Sequence, residues 1–244
     1  MKTMQSRSVA VECRKHRYPF QFANLGKLDG MLPSVKDSLI LAIIPAAGRS
    51  LRMAGQHKLL LPWRENSTVI SEVLQAWSDS RVTHIAMIVR LDDIELQSVC
   101  RRWPNIDLII PQVAPQDMKE SIRLGLEFFA TKYGPSELDR WMVAPADMPT
   151  LNSRMINAII ERGQACREIV IPRFEGRRGH PISLPWRLAA CIGELPSNQG
   201  LDRLIANYSV DFLDLPADQR PEDIDTPEDY ARLFNDFRYR CDLL

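Results

Sequence analysis

Ala46, Ala47 and Gly48, followed by Arg52 and Lys58, have the residue types and spacing needed to hold a polyphosphate. Small side chains let backbone N–H groups approach a ligand closely, and glycine reaches dihedrals closed to other residues. Two cations just beyond such a turn can both reach one phosphate chain. Plain turns share this composition, and two better-known phosphate loops are excluded. Neither the Gly-Lys-Ser/Thr spacing of a P-loop nor the G-x-G-x-x-G of a dinucleotide turn occurs here. The second chemical group is a lone carboxylate. In WMVAPADMP, Asp147 follows an apolar run and precedes Pro149. At the carboxyl end of a buried strand, a carboxylate faces the crevice where α/β sheets bind ligands. The structural alternative is a helix cap for the segment from Leu151, a task open also to Thr150 or Asn152.

These residues must be positioned by a scaffold. Leu39–Ile44 is a short continuous apolar run, as in a strand buried on both faces of a parallel sheet. Helical patterns follow at Ser67–Ser80 and Asp92–Trp103, with strand-like segments at Thr83–Arg90 and Ile106–Pro111. Asp117–Tyr133 reads as a long amphipathic helix, Arg140–Ala146 as a buried strand, and Leu151–Gly163 as a helix stopped by its glycine. Strands at Glu168–Arg173 and Pro181–Leu184, short helices at Trp186–Ile192 and Gly200–Asn207, a strand at Asp211–Leu215 and a helix at Pro227–Phe237 complete the pattern. Alternating strands and helices imply one α/β domain around a doubly wound, mostly parallel sheet. That domain is expected to span residues 39–244, with residues 1–38 a partly ordered extension on which Tyr18, Phe20 and Phe22 could dock onto the domain or a partner subunit.

At 244 residues and 45% hydrophobic content, the chain can bury a sizeable core. Its formal net charge is zero and it has no basic stripe with interleaved aromatics, which argues against extended nucleic-acid binding and for small anionic ligands. Cys13, Cys100, Cys166, Cys191 and Cys241 are scattered, with no C-x-x-C pair, as expected of reduced thiols rather than a disulfide framework or zinc ribbon. Without a membrane-length apolar stretch or a secretory h-region, a cytoplasmic monomer or homodimer is expected.

The first loop as a whole resembles the signature of the MobA-like, molybdopterin-type nucleotidyltransferases, roughly A-A/G-G-x-S-x-R-M-x-G-x-x-K. Ala46, Ala47, Gly48, Ser50, Arg52, Met53, Gly55 and Lys58 stand in its places, while Pro45 departs from the usual preceding residue. The Ala-Ala-Gly form is similar to the molybdenum cofactor cytidylyltransferase branch, Ala-Gly-Gly being more typical of guanylyltransferases. The resemblance implies a Rossmann-like fold of the nucleotide-diphospho-sugar transferase type. It also implies nucleotide contacts from Ala46, Ala47, Gly48, Ser50, Arg52 and Lys58, with Arg52 and Lys58 acting in catalysis. The ADMP segment resembles the family's G-D-M-P, with Ala146 in the Gly place, and this makes Asp147 a catalytic holder of Mg²⁺. RPEDIDTPEDY, from Arg220 to Tyr230, is similar to the closing D-I-N/D-T-P-E-D element, which makes Asp225 the second metal ligand and Asp223 the less favoured one. Read without the family, that run is a solvated turn before a helix.

Two further segments carry the resemblance. PQDMKESIRLGL matches a Gly-Met-x-x-Ser-Ile helix start that helps hold base and ribose, with Met118, Ser121, Ile122 and Gly125 in place and Asp117 where Gly is usual. The plain alternative is a helix whose Ile122, Leu126 and Phe129 face the core. GRRGHP, Gly176–Pro181, is similar to the cytidylyltransferase G-x-x-G-H-P turn, so Arg178 and His180, with Arg177, are candidates for the acceptor side; otherwise it is an exposed hairpin turn. Departure is greatest in Ser197–Asp202, where only Gly200 survives from a G-D-x-G-A-R-like run and an acid replaces a cation.

The expected reaction is in-line attack by an acceptor phosphate oxygen on the α-phosphorus of a nucleoside triphosphate, releasing pyrophosphate. CMP transfer to molybdopterin is the favoured form. Transfer to a sugar phosphate or other small acceptor, or a nucleotide-binding regulator with little turnover, are the alternatives.

Overall fold

The structure is a computed structural model that describes residues 38–241. The expectations for the N-terminal extension and its aromatic residues lie outside the described residues. The strands are β1 (Ile40–Pro45), β2 (His84–Ile88), β3 (Ile106–Ile109), β4 (Arg140–Val143), β5 (Ile169–Phe174), β6 (Arg177–Arg178), β7 (Ile182–Pro185) and β8 (Val210–Asp214). The helices are α1 (Val69–Ser78), α2 (Ile94–Cys100), α3 (Met118–Tyr133), α4 (Ser153–Ala165), α5 (Ala189–Glu194), α6 (Leu201–Ile205) and α7 (Pro227–Cys241).

The sheet runs β3-β2-β1-β4-β7-β5-β6, with β8 beside β5. β1 is parallel to β2 and β4, β2 to β3, and β5 to β8, whereas β7 runs antiparallel to both β4 and β5. The sheet is therefore mixed and mostly parallel. Because β1 is apolar at every position, alternate residues feed opposite cores. Ile40, Ala42 and Ile44 pack on one side with residues of α1 and α4, and Leu41 and Ile43 on the other with α3, α5 and α6. Helix α3 lies so close to β1 that a Cβ on Gly125 would sit 3.0 Å from Ile43 Cγ2. This close approach gives Gly125 a packing reason, and buried Ile122, Leu126 and Phe129 show the core-facing stripe.

Local signals explain the ends. Asp93, Asp117 and Asn152 each accept a backbone N–H of the following helix, as N-caps. Gly163 differs from its expected role. It lies inside α4, where a Cβ would meet Arg140 Nε at 2.6 Å, and the helix runs on to Ala165. Small size lets the buried Arg140 pass, so the glycine is a packing requirement rather than a stop. Cys100, Cys166 and Cys191 are free, and burial pushes the Cys100 thiol up to about 12, well away from thiolate chemistry. Among the described residues no helix is long and apolar enough to cross a membrane.

The chain visits β1, β2 and β3 on one side and then returns to place β4 on the other side of β1. That reversal opens a crevice beyond the carboxyl ends of β1 and β4, where such sheets bind ligands.

Candidate active site

The β1 loop, residues 46–57, sits over this switch point. Ala46 N–H donates to Ile88 O at 2.9 Å, extending the β1–β2 ladder by one bond. Ala46 is buried, while Gly48 is exposed with open space around its Cβ position. Met53 is fully buried between exposed neighbours and pins the loop to the core, a packing reason for methionine in that place. Ser50 and Ala54 adopt positive φ, 49° each, and Gly55 lies at 85°, so the chain turns tightly on both sides of this anchor. Beyond it, a 3₁₀ turn at Lys58–Leu60 buries Leu59 and aims Lys58 back at the crevice.

Lys58 gathers two distant segments. Its Nζ donates to Asp147 Oδ2 and, at 2.9 Å, to the carbonyl of Ile224, and lies 3.7 Å from Asp225 Oδ1. Arg52 Nη2 donates to the same Asp225 oxygen at 2.7 Å, and Ile224 N–H donates to Asp147 O at 3.0 Å. Arg52, Lys58, Asp147 and Asp225, expected from separate motifs, thus form one cluster. Asp147 is not a helix cap, because Asn152 Oδ1 takes Met155 N–H at 3.0 Å and Thr150 Oγ1 takes Glu222 N–H at 3.0 Å. The 220–230 run is a helix start as well as a site element. Asp229 Oδ2 accepts Thr226 N–H at 3.0 Å and Thr226 Oγ1 accepts Asp229 N–H at 3.2 Å.

The crevice has a volume of about 630 Å³. Ala46, Ala47, Gly48, Ser50, Arg52, Lys58, Ser121, Asp147 and Asp225 all line it, as do Asp223 and the stretch Ala114–Met118. Ser121 Oγ donates back to Asp117 O at 3.4 Å, at the first turn of α3. Asp117 takes an extended conformation that needs no glycine, and serves as N-cap.

The acceptor candidates are placed differently. The hairpin turns at Glu175 and Gly176, both at positive φ, two residues earlier than the Gly-Arg-Arg-Gly reading, and Arg177 and Arg178 form the exposed strand β6. Arg178 is not among the crevice-lining residues; its guanidinium lies 5.6 Å from the Phe212 ring centre. His180 stands two residues before Ile182, which pairs with Val143, and so flanks the chain leading to Asp147. Burial lowers the His180 pKa, with the Val143 carbonyl and the charges of Asp223, Asp147 and Asp202 working in the opposite direction.

Arg90 lines the crevice without having been singled out from sequence. It is buried, and its Nη1 donates to Ala47 O at 3.1 Å and to Gly48 O at 2.6 Å. The available signal was a cation at a strand end followed, after Leu91, by Asp92 and Asp93.

A doubly wound sheet with this switch-point site defines a Rossmann-like fold of the nucleotide-diphospho-sugar transferase type. The chain belongs to the MobA-like NTP transferase domain family, whose model matches residues 42–212, and it is a nucleotidyltransferase by that membership. Among solved structures, Rv0371c of Mycobacterium tuberculosis H37Rv in complex with manganese is 22% identical, with a TM-score of 0.66, covering 81% of this chain and 98% of its own. A nucleotidyl transferase from Methanothermobacter is 17% identical, with a TM-score of 0.66 over 83% of this chain and 99% of its own. CMP:2-keto-3-deoxy-manno-octonic acid synthetase complexed with CTP is 13% identical, with a TM-score of 0.65 over 83% of this chain and 100% of its own. No curated protein matches the chain significantly.

Proposed function

We propose that the protein moves a nucleoside monophosphate, CMP by preference, from its triphosphate to a phosphorylated acceptor, molybdopterin by preference, and releases pyrophosphate with Mg²⁺ as its divalent ion. The observation that carries this reading is the Lys58 cluster, which brings Asp147 and Asp225 together beside a loop suited to phosphate. The Ala-Ala-Gly loop favours the cytidylyl donor, and a fold neighbour solved with CTP supports it.

The donor set fits Mg²⁺. Asp147 Oδ1 is buried without a hydrogen-bond partner, an acceptor left over from the Lys58 contact. Asp225 supplies a second carboxylate, and a hard cation that shares its shell with substrate phosphates needs no more than one or two. Among the described residues no cluster of three or more His, Cys, Asp or Glu could by itself hold a metal. When bound, the ion supplies charge neutralisation at the α-phosphate and the leaving pyrophosphate.

The chain's own residues do the rest. A phosphate nucleophile is ionised near neutral pH, so no strong general base is required. Lys58 has a second task besides neutralising phosphate charge: it holds Asp147 and the 224–225 segment in place through fixed bonds. Arg52 is mostly exposed and can turn from Asp225 onto the triphosphate. Ser121 and the Ala114–Met118 stretch form the wall for base and ribose. On the acceptor side, His180 is uncharged near neutral pH, so it contributes hydrogen bonding rather than a positive charge.

A second reading, transfer to a sugar phosphate, is favoured by Ser197–Asp202, where the family's cation is replaced by Asp202. One assay decides between them: pyrophosphate release across the four ribonucleoside triphosphates, with molybdopterin, with sugar phosphates and with no acceptor. CTP with molybdopterin is expected to lead. Release with a sugar phosphate and none with molybdopterin selects the second reading. Triphosphate binding with no release in any mixture makes the protein a regulator.

A further inference from the structure

Both ends of the phosphate loop converge on one buried carboxylate. Asp93 Oδ2 lies 3.3 Å from Arg90 Nη2 and 2.8 Å from His57 Nε2, and only 4% of its side chain is exposed. Its other oxygen accepts Leu96 N–H at 3.4 Å and caps α2. Through Arg90 it governs the front of the loop. The Arg90 guanidinium reaches the carbonyls of Ala47 and Gly48, Asp92 holds it from the side at 2.9 Å, and Gln97 Nε2 fixes the Arg90 carbonyl at 2.8 Å. A trans peptide is planar, with its C=O and N–H pointing in opposite directions. Two carbonyls drawn onto Arg90 therefore aim the amides of Gly48 and Arg49 away from it. Among the described residues neither amide has an acceptor, so both are available to an anion. Through His57 the same carboxylate governs the back of the loop, since His57 directly precedes Lys58.

We propose that Asp93 is a positioning residue that sets the Gly48 and Arg49 amides and Lys58 in register with each other before substrate arrives. The ligand named in this inference rests on the nucleotidyltransferase reading; the arrangement of the loop does not. A fork of guanidinium bonds to two carbonyls is something lysine cannot reproduce, and an uncharged amide at residue 93 cannot hold Arg90 and His57 while still capping α2.

The test compares wild type with Asp93→Asn, Arg90→Lys and, as a surface control, Asp211→Asn, whose partner is Arg162. Asparagine caps a helix as well as aspartate, so the first variant keeps α2. Hydrogen exchange in the free protein is read at Ala46, Met53, Gln56 and Leu60, whose amides are all hydrogen-bonded. In Asp93→Asn, exchange is expected to rise about tenfold at Met53, Gln56 and Leu60, the scale of a lost charge-assisted bond. Arg90→Lys is expected to loosen residues 46–53 and leave Leu60 unchanged, and the surface control changes neither. The KM for CTP rises about tenfold in Asp93→Asn with kcat less affected, as for a lost binding geometry. Unchanged loop exchange in Asp93→Asn, or a rise confined to α2, overturns the proposal. If wild type neither binds nor turns over CTP, the functional reading falls while the exchange data still decide the role of Asp93.

Discussion

On the wall built by the β1 loop and the ends of β2 and β4, Arg49, Arg52, Lys58 and Arg90 each bond across to a different segment of the chain. On the β5–β6 hairpin, Arg173 and Arg178 gather instead over the exposed edge, around Phe212 and, for Arg173, Asp214. On the first wall the largely buried Lys58 and Arg90 are placed before any ligand arrives; the second wall presents none of its arginines to the crevice. Preorganised charge is what a reaction with little covalent chemistry needs, because dipoles already aimed at developing charge cost nothing to reorganise. Under the proposed function, the triphosphate belongs on the tied wall and acceptor choice falls to the hairpin side.

The largest expected effect would break this assignment if it failed. Asp147→Asn removes a negative charge from the Lys58 cluster while keeping size. Pyrophosphate release should fall about 10²–10³-fold, corresponding to about 3–4 kcal/mol in the barrier. Near-full activity at saturating Mg²⁺ would show that the tied wall is not where the reaction happens.

Gly48→Ala sharpens the comparison at intermediate scale. A Cβ there meets nothing within 4 Å in the free protein, so the chain should fold with stability unchanged or raised by about 0.4–1 kcal/mol. The new methyl stands where a phosphate would approach the backbone, and the Kd for CTP measured by calorimetry should rise about tenfold. Unaltered affinity would move the triphosphate away from the loop amides. Arg178→Ala probes the other wall. With its guanidinium over Phe212, acceptor KM should change by less than about threefold, the scale of an exposed contact. A larger loss would show that the hairpin rearranges to bring Arg178 to the acceptor.

These walls were unequally legible in the sequence. Strands and helices declared themselves through period and caps, because such signals are local: Asp117 and Asn152 cap as their types suggest. The loop and Asp147 were legible for the same reason, as small residues and a carboxylate at apolar strand ends. What joins them was not. The Lys58 contacts span 89 residues to Asp147 and 166 to Ile224, distances over which no pattern of composition carries information. Arg90 resembled an ordinary strand-end cation until its two carbonyl partners came into view. Gly163 was misread because a glycine that ends a helix and one that admits a buried arginine look alike in one dimension. The hairpin tip lies two residues earlier than expected because Glu175 takes the left-handed conformation, which its type does not advertise.

The smallest effect concerns His180 and the hairpin side. Burial lowers its pKa in the folded state, so the unfolded chain takes up a proton first as pH falls below the ordinary histidine value of about 6.5. The sign follows from linkage: above that value His180 costs nothing, and on acidification the unfolded state is progressively favoured until the folded ring also protonates. In metal-free buffer, the thermal midpoint of wild type should therefore drop more between about pH 7 and about pH 5 than that of His180→Gln, which has no proton to gain. Parallel curves would mean that the Val143 carbonyl and the charges of Asp223, Asp147 and Asp202 offset the burial, so that the folded ring takes up its proton over the same mildly acid range as the unfolded one. In that event the hairpin side would gain a positive charge on mild acidification at no cost to the fold, and the contrast between a charged wall and an uncharged one would narrow as pH falls.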